Sequence, residues 1–145
     1  MATAKDILDR KGNAVLTIGP DETILTAARR MNDHRVGALV VVDPAIGMVG
    51  ILTERDILSR VVAEARSPET TRVREVMTGK VVHCTPATTV QECEEIMTRR
   101  RLRHLPTMEN GQLVGLISIG DLMAYEAAQQ QVTIEYMHQY IHGRA

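Results

Sequence analysis

Gly50-Ile51-Leu52-Thr53-Glu54-Arg55-Asp56 returns later in the chain as Gly115-Leu116-Ile117-Ser118-Ile119-Gly120-Asp121, with glycine, hydroxyl and aspartate at identical internal spacing. The correspondence extends upstream. Pro20-Asp21-Glu22-Thr23-Ile24 matches Pro86-Ala87-Thr88-Thr89-Val90, Met31 matches Met97, and Arg35-Val36 matches Arg101-Leu102. The offset is 66 at the prolines and 65 at the aspartates, which puts a one-residue deletion in the hairpin turn of the second copy. A unit this short cannot close a core alone, so two copies should bury one face against each other. A cleft formed by that pairing should occur twice.

Each copy reads β-α-β-β-α. Ala14 to Ile18 is a short strand, and Asp21 to Asn32 is a helix with Ile24, Ala27, Ala28 and Met31 along one face. Ala38 to Val42 and Met48 to Leu52 form a hairpin with a loose turn. In the second copy Val90, Cys93 and Met97 give the helix a matching face. Arg103 to Met108 and Gln112 to Ile117 flank a tight Asn110-Gly111 turn. The joint is the polar, proline-bearing run Arg66 to Thr71, followed by a short helical turn from Val73 to Met77. The chain thus divides into residues 1–66, the first repeat with its N-terminal segment; 67–127, the second repeat with the linker; and 128–145, a C-terminal helical extension. That extension runs to about His142 and carries Ile134, Met137 and Ile141 on one stripe, with little intramolecular core left to cover. A subunit contact is the reading.

At 145 residues the chain can bury roughly 70% of its unfolded surface in one compact module. A net charge of −1 supplies no bulk field toward nucleic acid or membrane. The longest apolar stretch, Gly37 to Val42, is far below the ~20 residues of a membrane span. The N-terminus shows no apolar secretory core, so a reducing cytoplasm is the expected compartment. Cys84 and Cys93 form no CxxC pair and have no third ligand nearby, and read as small buried hydrophobes. With no Phe or Trp and only 2% aromatic residues, a base-stacking platform of the single-strand-binding kind is excluded, and a planar heterocycle would be expected to lie between aliphatic side chains and backbone.

Thr53-x-x-Asp56 and Ser118-x-x-Asp121 each stand where a strand hands over to a helix. One reading is a capping box, stabilising by about 1 kcal/mol. The other uses the same geometry for a ligand, because a hydroxyl and a carboxylate beside free amides at a helix N-terminus can hold phosphate and sugar hydroxyls together. Two copies in equivalent positions favour the ligand site.

In these motifs, together with Val76-Met77-Thr78, His34-Arg35-Val36-Gly37-Ala38-Leu39 and Leu102-Arg103-His104-Leu105-Pro106, the chain resembles a tandem cystathionine β-synthase (CBS) domain pair, or Bateman module, over roughly Lys11 to Ala127. The resemblance implies an α/β fold of two β-α-β-β-α units packed sheet to sheet about a pseudo-twofold axis. Two clefts between them would take adenosine-containing ligands such as AMP, ADP, ATP, NAD or S-adenosylmethionine. Carried over by position, Asp56 and Asp121 would accept bonds from ribose hydroxyls, with Thr53 and Ser118 on ribose or phosphate. The Asp56 cleft would draw its adenine wall from Leu102, Arg103, His104 and the loop Thr78 to Lys80. The Asp121 cleft would use Arg35, Val36, Gly37 and Ala38 with the segment Lys11 to Asn13. Two departures stand out: Val40 where the second copy has Pro106, and Arg55 where it has Gly120. The second departure bears on how firmly the Asp121 cleft holds phosphate.

Arg99-Arg100-Arg101 with Arg103 is the densest basic cluster. It is either a solvated helix end or a phosphate clamp facing the Asp56 cleft, to which Arg55 would contribute. His138 and His142 fall at i, i+4 but lack a third metal ligand. No nucleophile with its base appears. The sequence reading is therefore a non-catalytic regulatory module that senses AMP or NAD, with ADP or ATP as further candidates. It would act as a homodimer on an unidentified protein in trans, with no nucleic-acid or membrane partner. A ligand-free structural adaptor and a nucleotide-processing enzyme are the alternatives.

Overall fold

The structure, a computed structural model, describes residues 1–141 of the chain. In order the elements are α1 (Ala4–Lys11), β1 (Thr17–Ile18), α2 (Ile24–His34), β2 (Ala38–Asp43), β3 (Gly47–Thr53) and α3 (Glu54–Ile57), which continues into a π-helical turn over Leu58–Val62. Then come α4 (Val73–Val76), α5 (Val90–Arg100), β4 (His104–Glu109), β5 (Gln112–Ser118) and α6 (Ile119–Ile141).

The two long repeat helices form for the same reasons. Thr23 caps α2 by accepting the Thr26 amide, and Thr89 caps α5 by accepting that of Glu92. α2 buries Ile24, Ala27 and Met31 of the face that the spacing predicts, with Ala28 half-buried, and α5 buries Val90, Cys93 and Met97. Both stop at an arginine in the left-handed region, Arg35 at φ 53° and Arg101 at φ 54°. The hairpins match in register, with Ala38 opposite Thr53 and His104 opposite Ser118. Pro44, Ala45 and Ile46 connect the first and Asn110-Gly111 the second, so the deletion lies in the turn.

The first strand is shorter than the sequence reading. β1 holds only Thr17 and Ile18, parallel to β2, and its counterpart in the second repeat is a single bridge between Cys84 and Thr107. Pro106 explains the difference. The Val40 amide donates to the Leu16 carbonyl at 3.1 Å, whereas Pro106 at the equivalent position has no amide proton, so the ladder cannot begin there.

Each core is completed by the segment that precedes the other repeat. Val73 and Val76 of α4 pack with Ile24, Leu39, Leu52 and Val61, while Ala4, Ile7 and Leu8 of α1 pack with Val90, Met97, Leu105 and Ile117. Backbone bonds fasten both crossings. Ile24 N reaches Thr71 O at 2.9 Å and Val73 N reaches Glu22 O at 2.8 Å; Ala4 N reaches Thr88 O at 2.7 Å and Val90 N reaches Ala2 O at 3.0 Å. The N-terminal segment, grouped with the first repeat by chain order, thus packs with the second. β3 and β5 touch across the interface, so the two sheets meet there.

α6 has 23 residues, about 35 Å of helix, and buries only Leu122. Tyr125 packs against the second core, and from Val132 onward the helix is exposed, Ile134 and Met137 included. His142 lies outside the described residues. Among those described, no helix is long and apolar enough to cross a membrane.

Candidate functional site

The repeated hydroxyl and aspartate form two capping boxes of the same geometry. Asp56 Oδ2 accepts the Thr53 amide at 3.0 Å and Thr53 Oγ1 accepts the Asp56 amide at 3.2 Å. In the second copy Asp121 Oδ2 accepts the Ser118 amide at 2.8 Å and Ser118 Oγ the Asp121 amide at 3.1 Å. Each box fixes one carboxylate oxygen and leaves Oδ1 without a protein hydrogen bond among the described residues. The capping and ligand readings therefore coexist in one geometry.

A cavity of about 590 Å³ opens on Asp56, within the usual range for small-molecule sites. Thr53, Arg55 and Asp56 reach it from the β3–α3 junction, Thr78 and Lys80 from the loop after α4, and Arg101, Leu102, Arg103 and His104 from the α5–β4 junction. Both repeats thus supply its wall. Thr78 is held in place by reciprocal backbone bonds with Ile51 at 2.9 and 3.0 Å. Sequence reasoning missed Ile51, Glu54, Leu58, Val81, Val82 and Pro106, which complete the lining. The signal was present for Val81-Val82, an apolar pair directly after Lys80, and for Pro106 inside a quoted motif. These aliphatic side chains are the surfaces that a planar ring needs in a chain without Phe or Trp.

Arg55, Lys80, Arg101 and Arg103 face this cavity, and among the described residues none of them is paired with a carboxylate. Glu54 and Asp56 are the acidic side chains of the lining, so cations outnumber anions around the opening. Such a rim suits an anionic ligand.

His104 is half-buried at the inner wall. Desolvation holds its pKa below the usual 6.5; Glu54 and Asp121 oppose that shift, and Lys11 and Arg103 reinforce it. The imidazole is therefore neutral at pH 7.

Around Asp121 the arrangement differs. Lys11 Nζ, at the end of α1, lies 2.6 Å from Asp121 Oδ2 and 2.7 Å from the Leu116 carbonyl. The bond from Lys11 and the Ser118 amide outweigh burial, and the carboxyl sits below its ordinary value. Of the residues that the resemblance assigns to this cleft, Ala38 is buried, while Asn13 is exposed at the chain surface. Arg35, Val36 and Gly37 line a shallow groove against Glu54, and Gly37 also borders the Asp56 cavity. Ser118 and Asp121 do not line that cavity.

Cys84 and Cys93 are unpaired and buried in the second core, with Cys84 Sγ 3.3 Å from Thr107 Oγ1. Among the described residues no cluster of three or more His, Cys, Asp or Glu side chains could hold a metal ion.

Crossed repeats around a duplicated strand-to-helix motif define a paired β-α-β-β-α module. The CBS domain model matches residues 4–63 and 73–128, and the chain belongs to the CBS-domain family. YhcV of Bacillus subtilis, a CBS domain-containing protein, is 35% identical over 98% of this chain and 100% of its own length. The structure of a CBS-domain protein from Burkholderia ambifaria is 41% identical with a TM-score of 0.86, covering 89% of this chain and 96% of that one. That of a hexameric CBS-CP12 protein from bloom-forming cyanobacteria is 28% identical with a TM-score of 0.76, covering 85% and 70%. Pairs of this family are in general regulatory or ligand-binding modules.

Proposed function

We propose that this chain is a non-catalytic regulatory module that binds an adenine nucleotide in the Asp56 cavity and passes its occupancy to a partner protein in trans. One observation carries the reading: a cavity of about 590 Å³ combines an oriented hydroxyl–carboxylate pair, aliphatic walls and four cations without carboxylate partners among the described residues. Asp56 Oδ1 accepts the ribose hydroxyls and Thr53 lies beside ribose or phosphate. The ring rests between Leu102, Val82 and Ile51, and the arginines face the phosphates. AMP and NAD are the first candidates, and the cationic rim favours ADP, ATP or the pyrophosphate of NAD over adenosine.

Because Asp56 belongs to the first repeat and Arg101 to His104 to the second, a ligand bridging them favours one relative arrangement of the two. It shifts the population by its differential affinity for the two arrangements. The module works as a homodimer through the exposed apolar face of α6 and resides in the cytoplasm, where buried, unpaired Cys84 and Cys93 stay reduced.

Calorimetry with AMP, ADP and NAD on the wild type and Asp56→Ala tests the binding claim. A lost charge-assisted bond is worth about 1.5–3 kcal/mol, so the variant should bind roughly 10–100-fold more weakly. Equal affinity in both proteins, or no heat with any of the three ligands, overturns it. Turnover of a bound nucleotide would make the module an enzyme instead.

A further inference from the structure

The two copies of the motif are used differently, and the difference lies in one side chain. In the first repeat the Ile51 carbonyl accepts the Thr78 amide at 2.9 Å, and Asp56 has no cationic partner among the described residues. In the second repeat the equivalent carbonyl, Leu116, and the equivalent carboxylate, Asp121, are both taken by Lys11 Nζ, at 2.7 and 2.6 Å. We propose that Lys11 is a built-in occupant of the second cleft, standing where a ligand's hydroxyl donors would otherwise meet Asp121. One chain then binds one adenine nucleotide, at Asp56. The inference rests on the nucleotide reading above and adds which motif is open and what closes the other.

The competition favours the lysine. A ribose hydroxyl, a neutral donor, would reach the Oδ1 that the capping box leaves open, but the carboxylate it meets is already neutralised by the ammonium–carboxylate bond from Lys11 to Oδ2, which is about twice as strong as a neutral one. That bond is also partly shielded, with the Lys11 and Asp121 side chains 33% and 22% exposed. Lys11 is delivered by a helix already packed in the second core, so it gives up little translational freedom on binding. Nor can it leave by moving its helix, because Ile7 and Leu8 of α1 are 2% and 3% exposed in the second core. Only the side chain itself can swing away, so a single substitution can open the cleft without dismantling the fold.

The Arg55 and Gly120 difference points the same way. The open motif carries a cation beside its aspartate, whereas the closed one has glycine there and receives its cation from α1.

The test is AMP stoichiometry by calorimetry on the full chain. Wild type should take up one AMP per chain and Lys11→Met two; Lys11→Met with Asp121→Asn should return to one. Lys5→Met, which removes an exposed lysine of the same helix paired with Asp9, should stay at one. Circular dichroism verifies that each variant is folded, and Lys11→Gln serves if Lys11→Met is not. Two AMP per wild-type chain, or one per chain in folded Lys11→Met and Lys11→Gln, overturns the inference while the nucleotide reading stands. No uptake of AMP, ADP or NAD by any of the proteins overturns the nucleotide reading, and this inference with it.

Discussion

A methyl carbon placed on Gly50 would lie 2.8 Å from the carbonyl oxygen of Thr78 and 2.7 Å from Met77 Sδ. The repeated glycine is thus the point where a crossing segment passes over β3, and at Gly115 the same role is met by Leu8, whose Cδ atoms would be 2.6 Å away. The two sites should respond differently. Overpacking costs about 1–3 kcal/mol, and at Gly115 a side chain absorbs it, whereas at Gly50 part of the clash is with backbone pinned to Ile51. Gly50→Ala should therefore lower both the melting temperature and ADP affinity, because Thr78 lines the cavity. Gly115→Ala should lower the melting temperature alone. Equal ADP affinity in wild type and Gly50→Ala would count against the Thr78 wall.

Arg35 and Arg101 hold the same left-handed backbone, yet one borders the cationic cavity and the other the shallow groove. The left-handed region costs a non-glycine residue roughly 1–2 kcal/mol, part of which glycine gives back as unfolded-chain entropy. Both Arg35→Gly and Arg101→Gly should raise stability in urea titrations by about 0.5–1 kcal/mol. Only Arg101→Gly should also weaken ADP binding several-fold, and that penalty should shrink as salt rises, since the guanidinium is solvent-accessible. A stabilised Arg101→Gly with unchanged ADP affinity would remove Arg101 from the phosphate rim.

His104 predicts a pH dependence of stability. Its folded pKa lies below the unfolded 6.5, because burial disfavours the imidazolium, so the unfolded chain binds the extra proton first. The contribution is fully present above pH 6.5 and is lost as pH falls from there through the folded pKa. Unfolding midpoints measured from pH 7.5 down to 5 should fall more steeply for wild type than for His104→Gln. Parallel curves would place His104 in water.

Asp121 is the complementary case at lower pH. Lys11 and the Ser118 amide depress its pKa against burial, so its contribution is present above the unfolded value of 3.8 and disappears as pH falls through the folded one. Lys11→Met should lose part of this acid dependence below pH 3.8 and, because Lys11 also helps to depress His104, make the slope between pH 7.5 and 5 somewhat shallower. If acid unfolding curves of the two proteins superimpose below pH 3.8, the Lys11–Asp121 pair does not persist in solution.

Truncation after Tyr125 removes the stripe Ile134, Met137 and Ile141 together with the exposed Val132, Tyr136 and Tyr140, while keeping Leu122 and Tyr125 in the second core. Light scattering at micromolar concentration should give a dimer for the full chain and a smaller species for the truncated one. A full-length mass near 16.1 kDa would refute self-association.

Much of this molecule is set by local pattern. The threonine caps of α2 and α5, their apolar faces, the Asn110-Gly111 turn and the hydroxyl–aspartate boxes depend on neighbours three or four residues away, and such relations are written directly in the chain. Even the loss of the second repeat's first strand was legible in principle, since Pro106 lacks an amide wherever it is placed. Other features were decided by contacts between residues far apart in sequence. That α1 closes the second core and α4 the first follows from Leu8 meeting Gly115 and Met77 meeting Gly50, and no periodicity within either helix names its partner. The same holds for the site. The duplicated motif determines where two carboxylates are held, but that Asp56 lines the cavity while Lys11 reaches Asp121 across 110 residues of chain was decided by the tertiary structure, because burial and charge pairing exist only once the crossing segments are in place.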